Sequence, residues 1–212
     1  MFMGATTKDG MDIADKSREI VKRKIFEVLN EKIDLYSDEE MGLIERVVHA
    51  TADPEYAKLI LFNNGPIKNC LDALNNKKPI ITDISMVKAG IRYNNIVCTI
   101  SDKETFEYAK KYGITRAVAS IRSLKDEIDG GIIVIGNAPT ALLEVIRLYN
   151  EEKIRPKLVL GVPVGFVKAS ESKELLRTLN IPSISTIGPK GGTPIAVSLM
   201  NGIIALSKNE RI

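Results

Sequence analysis

The stretch GGIIVIGNAPTALLEVIRLY, residues 130–149, contains the pattern that decides the fold. After its two glycines comes a short run that is apolar and β-branched at every position, which is typical of a strand covered on both faces. A glycine and an asparagine follow, and Pro139 then stands where the first turn of a helix tolerates a missing N–H group. The residues after Pro139 have helical spacing. The stretch therefore predicts a buried strand that leads directly into a helix.

The same succession of β-branched run and helical segment recurs from residue 79 onward. Strands that alternate with helices predict a parallel sheet with right-handed crossovers. We therefore predict one α/β domain over 1–212, with a mostly parallel five-stranded sheet, helices on both faces, and 78–212 as its alternating part. The predicted strands are PIITDIS (79–85), NIVCTIS (95–101), GGIIVIG (130–136), KLVLGVP (157–163) and SISTIG (183–188).

The N-terminal third, residues 1–77, is predicted to be mainly helical. Residues 11–30 carry apolar side chains at helical spacing. A second helix is predicted to begin after Ser37, because a serine followed three positions later by Glu40 forms a capping box. A third helix is predicted at 67–76.

Composition narrows the class of protein. The 212 residues carry a net charge of +3, with 5% aromatic residues and no tryptophan, so the sequence gives little support to nucleic-acid binding. No apolar run approaches the roughly 20 residues that span a bilayer, and the first residues lack a secretory signal. We therefore expect a cytoplasmic protein with no membrane partner. One histidine and two distant cysteines, Cys70 and Cys98, argue against a zinc site and against a disulfide framework.

Three segments run from a predicted strand through glycine into a helix. Ligands of open parallel sheets bind beyond the carboxyl ends of the strands, and the N–H groups of a helix start favour anions. Together the segments would suit a ligand with several negative groups. The alternative is structural, because tight strand-to-helix turns need glycine in any case. The segments are GIIVIGNAPTALLEV (131–145), LVLGVPVGFVKASESKELL (158–176) and ISTIGPKGGTPIAVSLM (184–200), and none contains a Walker A, G-x-G-x-x-G or G-x-S-x-G motif.

The only histidine of the chain, His49, lies in RVVHATADPEYAKLI, residues 46–60. Arg46 is three positions before it and shares its helix face, while Glu45 is four positions before it. Arg46 would oppose protonation of the imidazole, and Glu45 would favour it. The sequence leaves open which of them dominates. It also leaves open whether His49 is functional or is merely accommodated near a helix end.

Several stretches together resemble the precorrin-8X methylmutase family, in its cobalt-precorrin-8 form. The resemblance runs from about Ser17 to the final helix. It implies an isomerase of cobalamin biosynthesis that moves a methyl group on ring C of a tetrapyrrole polycarboxylate to the adjacent carbon, without a cofactor or an external methyl donor. It also implies a homodimer with sites at the subunit contact. The matching stretches are ERVVHATAD (45–53), KPIITDISMVKAGI (78–91), GNAPTALLEVIRL (136–148), GVPVGFVKASESKELL (161–176) and GPKGGTPIAVSLMNGI (188–203).

The resemblance also implies which residues form the site. The family's catalytic histidine falls on His49, expected to act as a general acid or hydrogen-bond donor, and its substrate-contacting arginine falls on Arg46. A family serine of the first helix falls on Ser17, although Arg18 replaces the phenylalanine that usually follows it. Further substrate contacts are predicted at Arg116, Gly136 and Asn137.

Two other functions remain open at this point. A non-catalytic corrinoid-binding protein that hands on pathway intermediates would show the same receptors at the sheet edge, but would have no need of His49 beside Arg46. A sugar-phosphate or nucleotide enzyme on a similar fold would bind small phosphates and no corrinoids. The sequence does not decide whether the natural substrate carries cobalt.

Overall fold

The computed structural model describes residues 7–210, in which helices cover a single mixed sheet. The strands are β1 (Ile60–Asn63), β2 (Ile80–Thr82), β3 (Ile96–Val97), β4 (Ile132–Ile135), β5 (Leu158–Gly161) and β6 (Ser183–Thr186). The α-helices are α1 (Lys8–Leu29), α2 (Asp38–Thr51), α3 (Tyr56–Leu59), α4 (Pro66–Asn75), α5 (Ser85–Gly90), α6 (Lys103–Tyr112), α7 (Arg116–Ser123), α8 (Lys125–Ile128), α9 (Pro139–Glu151), α10 (Ala169–Arg177) and α11 (Thr193–Ser207). A 3₁₀ helix, Asn30–Leu35, joins α1 to α2.

The sheet has six strands in the order β1-β6-β5-β4-β2-β3. All neighbouring pairs are parallel except β1 with β6. The five predicted strands are all present, but the prediction of five was wrong by one, because β1 lies in the segment read as mainly helical. This four-residue strand follows α3 with no glycine or proline between them, so the sequence carries no boundary signal there.

Successive residues of the central strands point to opposite faces of the sheet, and each face has its own core. Ile80, Ile132 and Leu158 belong to the core that α1, α2, α4 and α11 cover. Their neighbours Ile81, Ile133 and Val159 belong to the core that α7, α9 and α10 cover. The prediction of strands buried on both faces is therefore confirmed.

The helix ends follow their sequence signals closely. Ser37 caps α2 and Glu40 completes the capping box, with both hydrogen bonds present. Pro139 is the first residue of α9, as predicted. Between β3 and β4, α7 and α8 are separate helices, because the chain at Leu124 leaves the helical conformation for one residue. Among residues 7–210 no helix is both long enough and apolar enough to cross a membrane, and a cytoplasmic location stays a prediction.

The connections from β2 and β4 leave in opposite directions along the sheet, so a crevice is expected between the carboxyl ends of these strands. The side chain of Asp83 fills it and is fully buried. Its carboxylate accepts hydrogen bonds from the backbone N–H groups of Gly136, Asn137 and Ala138 at 3.0, 2.9 and 2.7 Å. The beginning of α9 is thus already occupied by a carboxylate of the protein itself.

Candidate active site

Helix α2 presents Arg46 and His49 side by side. On its other face Leu43, Ile44 and Val47 are fully buried in the core. Arg46 and His49 are three positions apart, so they share the face of α2 that is turned away from this core. The Arg46 side chain lies against Gly202 of α11, where a Cβ atom would stand 3.0 Å from the Cδ atom of Arg46. The same Cβ atom would lie 2.4 Å from Cδ2 of Leu43, so a glycine at 202 makes room for both side chains.

Ser17 of α1 contacts His49 directly. The Ser17 Oγ atom and the Nδ1 atom of the imidazole are 2.9 Å apart, although the two residues are 32 positions apart in the sequence. Packing of α1 on α2 through Val21 and Ile25 brings them together. A hydrogen bond at Nδ1 leaves Nε2 as the nitrogen that is open to a ligand.

Burial and Arg46, and not Glu45, shift the pKa of His49. Partial desolvation of the ring lowers the pKa of His49 below its ordinary value of 6.5, and repulsion from the Arg46 guanidinium lowers it further. Glu45 is engaged elsewhere, with its carboxylate oxygens 3.2 Å from Arg18 Nε and 3.8 Å from Lys22 Nζ. Of the two neighbours, Arg46 therefore acts on the ring, and the lowered pKa of His49 favours the neutral imidazole near pH 7.

A groove of about 220 Å³ lies beside His49, between α2, the turn after α5 and the C-terminal part of α11. Burial and the nearby positive charge of Arg92 lower the pKa of Arg46. The Nε atom of Arg46 is buried and has no hydrogen-bond partner among the residues that the structure describes. Cations outnumber acids in this groove, which suits a ligand with carboxylates. Its polar lining comprises Arg46, His49, Arg92, Ser198, Asn201, Lys208 and Glu210.

Two residues of this groove, and a glycine packed against Arg46, escaped the sequence-based prediction. Arg92 lies in the turn after α5, and Asn201 and Gly202 lie 109 and more positions further along the chain, on α11. Asn201 and Gly202 lie within the family-like stretch 188–203, but none of the three was predicted as a site residue. The only sequence signal was Gly202 itself, because a glycine inside a helix lowers its stability and often indicates close packing.

The glycine segments at the sheet edge are organised by packing. A Cβ atom at Gly161 would lie 2.8 Å from the Leu176 side chain, and one at Gly191 would lie 2.3 Å from the carbonyl oxygen of Val162. The backbone amides of Gly136 and Asn137 are bonded to Asp83, so of these two residues only the exposed side chain of Asn137 remains available to a ligand. These glycines therefore support the alternative that tight strand-to-helix turns, rather than a ligand, require glycine at these positions.

Arg116 lies apart from the histidine groove. It is the exposed first residue of α7, whose cap Thr115 contacts Thr140 of α9 with 3.2 Å between the hydroxyl oxygens. Arg116 is therefore near the beginning of α9, on the same edge of the sheet as Gly136 and Asn137. The structure brings Ser17, Arg46 and His49 together as one group and leaves Arg116, Gly136 and Asn137 as a second group outside the groove lining.

The loop after β6 contacts the residues that follow α2, the helix that carries His49. Lys190 pairs with Asp53, which follows α2, through a short ionic hydrogen bond. The same loop is held by the buried Lys173 of α10, which donates to the carbonyl oxygen of Lys190 at 2.8 Å and to Thr186 Oγ1 at 3.0 Å. Burial lowers the pKa of Lys173 to about 8.

Within residues 7–210 no group of His, Cys, Asp and Glu side chains is arranged to hold a metal ion.

Comparison with known proteins assigns this arrangement to a family. The family model for precorrin-8X methylmutase matches residues 12–206, which is nearly the whole chain and includes Ser17, Arg46 and His49. The chain belongs to the precorrin-8X methylmutase family. The family and the enzyme class that the sequence predicted, an isomerase of cobalamin biosynthesis, are confirmed.

Relatives of this methylmutase match over their full lengths. A cobalt-precorrin-8 methylmutase from Methanocaldococcus jannaschii is 65% identical over 209 residues, covering 99% of this chain and 100% of the relative. One from Methanothermobacter thermautotrophicus is 48% identical, with 100% of both chains covered. A solved precorrin-8X methylmutase from Thermus thermophilus superposes with a TM-score of 0.81 at 30% identity, covering 94% of this chain and 99% of that one. The predicted α/β fold class is confirmed by this likeness as well.

Proposed function

We propose that this methylmutase acts on cobalt-precorrin-8 and that His49 is the residue that promotes the methyl shift. Both curated relatives described above carry the name of the cobalt substrate. The contact between Ser17 and His49 is the observation that carries the assignment of the residue. It holds the only imidazole of the chain in one orientation, beside an arginine and at the edge of an open groove.

The neutral imidazole determines which nitrogen donates. When the Ser17 hydroxyl donates to Nδ1, the single ring proton of a neutral histidine resides on Nε2. His49 can then donate from Nε2 to an atom of the macrocycle beside ring C, other than the four ring nitrogens that coordinate the cobalt, and favour the form that rearranges. The bond from the methyl group to its first ring-C carbon breaks as the bond to the adjacent carbon forms. Atoms and electrons stay within the substrate, and the hydrogen bond from His49 leaves its ring proton in place.

Arg46 links substrate binding to the acidity of His49. A guanidinium beside a substrate carboxylate forms a strong, charge-assisted pair, frequently bidentate. Once the charge of Arg46 is neutralised in this way, its repulsion of an imidazolium weakens, and the pKa of His49 rises in the complex. Bound substrate would therefore favour the imidazolium form of His49, which is the better proton donor. The neutral ring would prevail when the groove is empty.

The size of the groove supports a homodimer. A groove of about 220 Å³ is smaller than the roughly 300–1,000 Å³ of pockets that enclose drug-sized ligands, and a tetrapyrrole is larger than such ligands. The loop after β5 also exposes Phe166 and Val167, with 97% and 76% of their surface accessible. We infer that a second copy completes the enclosure in a two-fold dimer. Light scattering that finds a monomer at working concentration would contradict this inference.

The experiment that tests the function uses purified protein, cobalt-precorrin-8 and no other reagent. The absorbance spectrum should change to that of the rearranged corrin with wild-type protein and should stay unchanged with His49→Ala. Corrin affinity of the variant should remain within about tenfold of wild type, or about 1.4 kcal/mol. Full turnover by His49→Ala would remove His49 from the mechanism. Tight binding without turnover by wild-type protein would instead identify a carrier of intermediates.

A further inference from the structure

A second arginine in the histidine groove has no side-chain partner among the residues that the structure describes. Arg92 is exposed in the turn after α5, and among residues 7–210 its guanidinium forms no ion pair and no hydrogen bond. Its charge is close enough to Arg46 to lower the pKa of that residue. Two guanidinium groups in one groove repel each other, and an anionic ligand between them relieves the repulsion.

The backbone that carries Arg92 is fixed to α11 by one side chain. Asn201 Oδ1 accepts a hydrogen bond from the backbone N–H of Arg92 at 2.8 Å, and Asn201 Nδ2 donates to the carbonyl oxygen of Gly90 at 2.8 Å. The turn also packs tightly, since a Cβ atom at Gly90 would lie 2.7 Å from the Val197 side chain. A long, charged side chain is thus presented to the groove from an anchored backbone.

We propose that Arg92 binds a second side-chain carboxylate of the tetrapyrrole, distinct from the one that Arg46 binds, and that Asn201 is the positioning residue for Arg92. The inference rests on the proposed function and adds a determinant of substrate specificity to it. The two arginines come from different elements, α2 and the turn after α5. A ligand that satisfies both must carry carboxylates on separate arms, which a corrin polycarboxylate does and a simple carboxylic acid does not.

Neighbouring charges do not neutralise Arg92. Lys208 adds a positive charge to the groove lining, and Glu210 is the one acid there among the described residues. The groove therefore retains an excess of positive charge around His49, with Arg46 as the other contributor. An excess of this kind favours a polyanion over a neutral amide derivative of the same macrocycle.

The test measures affinity for a cobalt-free corrin polycarboxylate by absorbance titration. A parallel series of corrins has one arm carboxylate at a time converted to the amide. Arg92→Gln should weaken binding of the full polycarboxylate by about tenfold to a hundredfold, as for a lost charge-assisted hydrogen bond. Arg92→Lys should retain part of the affinity, because it keeps the charge without the planar fork. Lys88→Gln removes the same charge from the exposed surface of α5 and should bind like wild type.

The amide series identifies the contact. One amide corrin of the series should lack the carboxylate that Arg92 binds. Wild-type protein should bind this amide about as weakly as Arg92→Gln binds the full polycarboxylate. Conversion of the same carboxylate should cause no further loss of affinity in Arg92→Gln. Asn201→Ala should lower affinity through the same contact, so that it adds little in the double variant with Arg92→Gln. Equal binding by wild type and Arg92→Gln, or additive losses with every amide, would overturn the inference and leave the proposed function intact. Failure of wild-type protein to bind any corrin would overturn both.

Discussion

Replacement of Asp83 tests whether the crevice between β2 and β4 is filled for structural reasons. This carboxylate is fully buried and accepts three backbone N–H groups at the beginning of α9. Burial raises its pKa, and the three amides oppose that rise. In Asp83→Ala all three donors lose their acceptor. In Asp83→Asn one oxygen can keep the bonds to Asn137 and Ala138, while the new amide group faces the N–H of Gly136.

The magnitudes follow from the number of bonds that are lost. A buried donor without its partner costs about 1–3 kcal/mol. Because only the bond from Gly136 is fully buried, the sum for Asp83→Ala belongs to the lower half of the range, about 3–6 kcal/mol. Asp83→Asn should cost about 1–3 kcal/mol. The alanine variant thus loses a large part of a total stability of about 5–15 kcal/mol.

Urea denaturation followed by circular dichroism measures these costs. The midpoint should fall in the order wild type, Asp83→Asn, Asp83→Ala, while the slope with denaturant stays constant. Asp126→Ala, an exposed acid in the first turn of α8, is the matched control and should stay within about 0.5 kcal/mol of wild type. Asp83 does not line the histidine groove, so Asp83→Asn should retain the methyl shift at 25 °C. An Asp83→Ala variant no less stable than Asp126→Ala would refute the reasoning.

Three further predictions concern titration and catalysis. The pKa of His49, followed by NMR in protein without a histidine tag, should lie below 6.5 and should rise in Arg46→Gln; a value unchanged by that substitution would show that Arg46 does not act on the ring. Ser17→Ala should lower kcat roughly twofold to tenfold, the worth of one neutral hydrogen bond, and an unchanged kcat would make the contact incidental. Lys173 has its pKa lowered from 10.5 to about 8, so between these values the unfolded chain binds more protons than the folded one. The free energy of unfolding of wild type, relative to Lys173→Met, should therefore rise as the pH increases from 8 to 10.5, and a pH-independent difference would contradict this assignment.

Local signals in the sequence predicted most of the fold. The run before Pro139 specified both β4 and the beginning of α9, and Ser37 with Glu40 specified the start of α2. Strand β1 could not be predicted in the same way, since its antiparallel partner is β6, more than a hundred residues away, and its own residues carry no turn signal. Pairing with a distant strand, and not local propensity, makes this segment extended.

The site was predictable only in part, for a related reason. His49 stood out because it is the only histidine, and Arg46 because it shares the same helical face. Ser17 was placed by family resemblance alone, since its contact with His49 depends on the packing of α1 against α2. Arg92 and Asn201 meet through a turn and a helix that are distant in the chain, so neither was predicted to belong to the site. Asp83 was read as part of a strand, so the anion receptor predicted at Gly136 and Asn137 was not recognised as already filled.

In the proposed mechanism, Ser17 orients His49 so that Nε2 carries the proton and faces the macrocycle. The chain has a single histidine, so ¹⁵N-histidine labelling yields one pair of imidazole nitrogen signals with no ambiguity of residue. Near pH 7 the proton should reside on Nε2, with Nδ1 as the acceptor of a hydrogen bond, and the Nε2 signal should change when a cobalt-free corrin polycarboxylate binds. A proton on Nδ1, or an Nε2 signal that the bound corrin leaves unaltered, would contradict it.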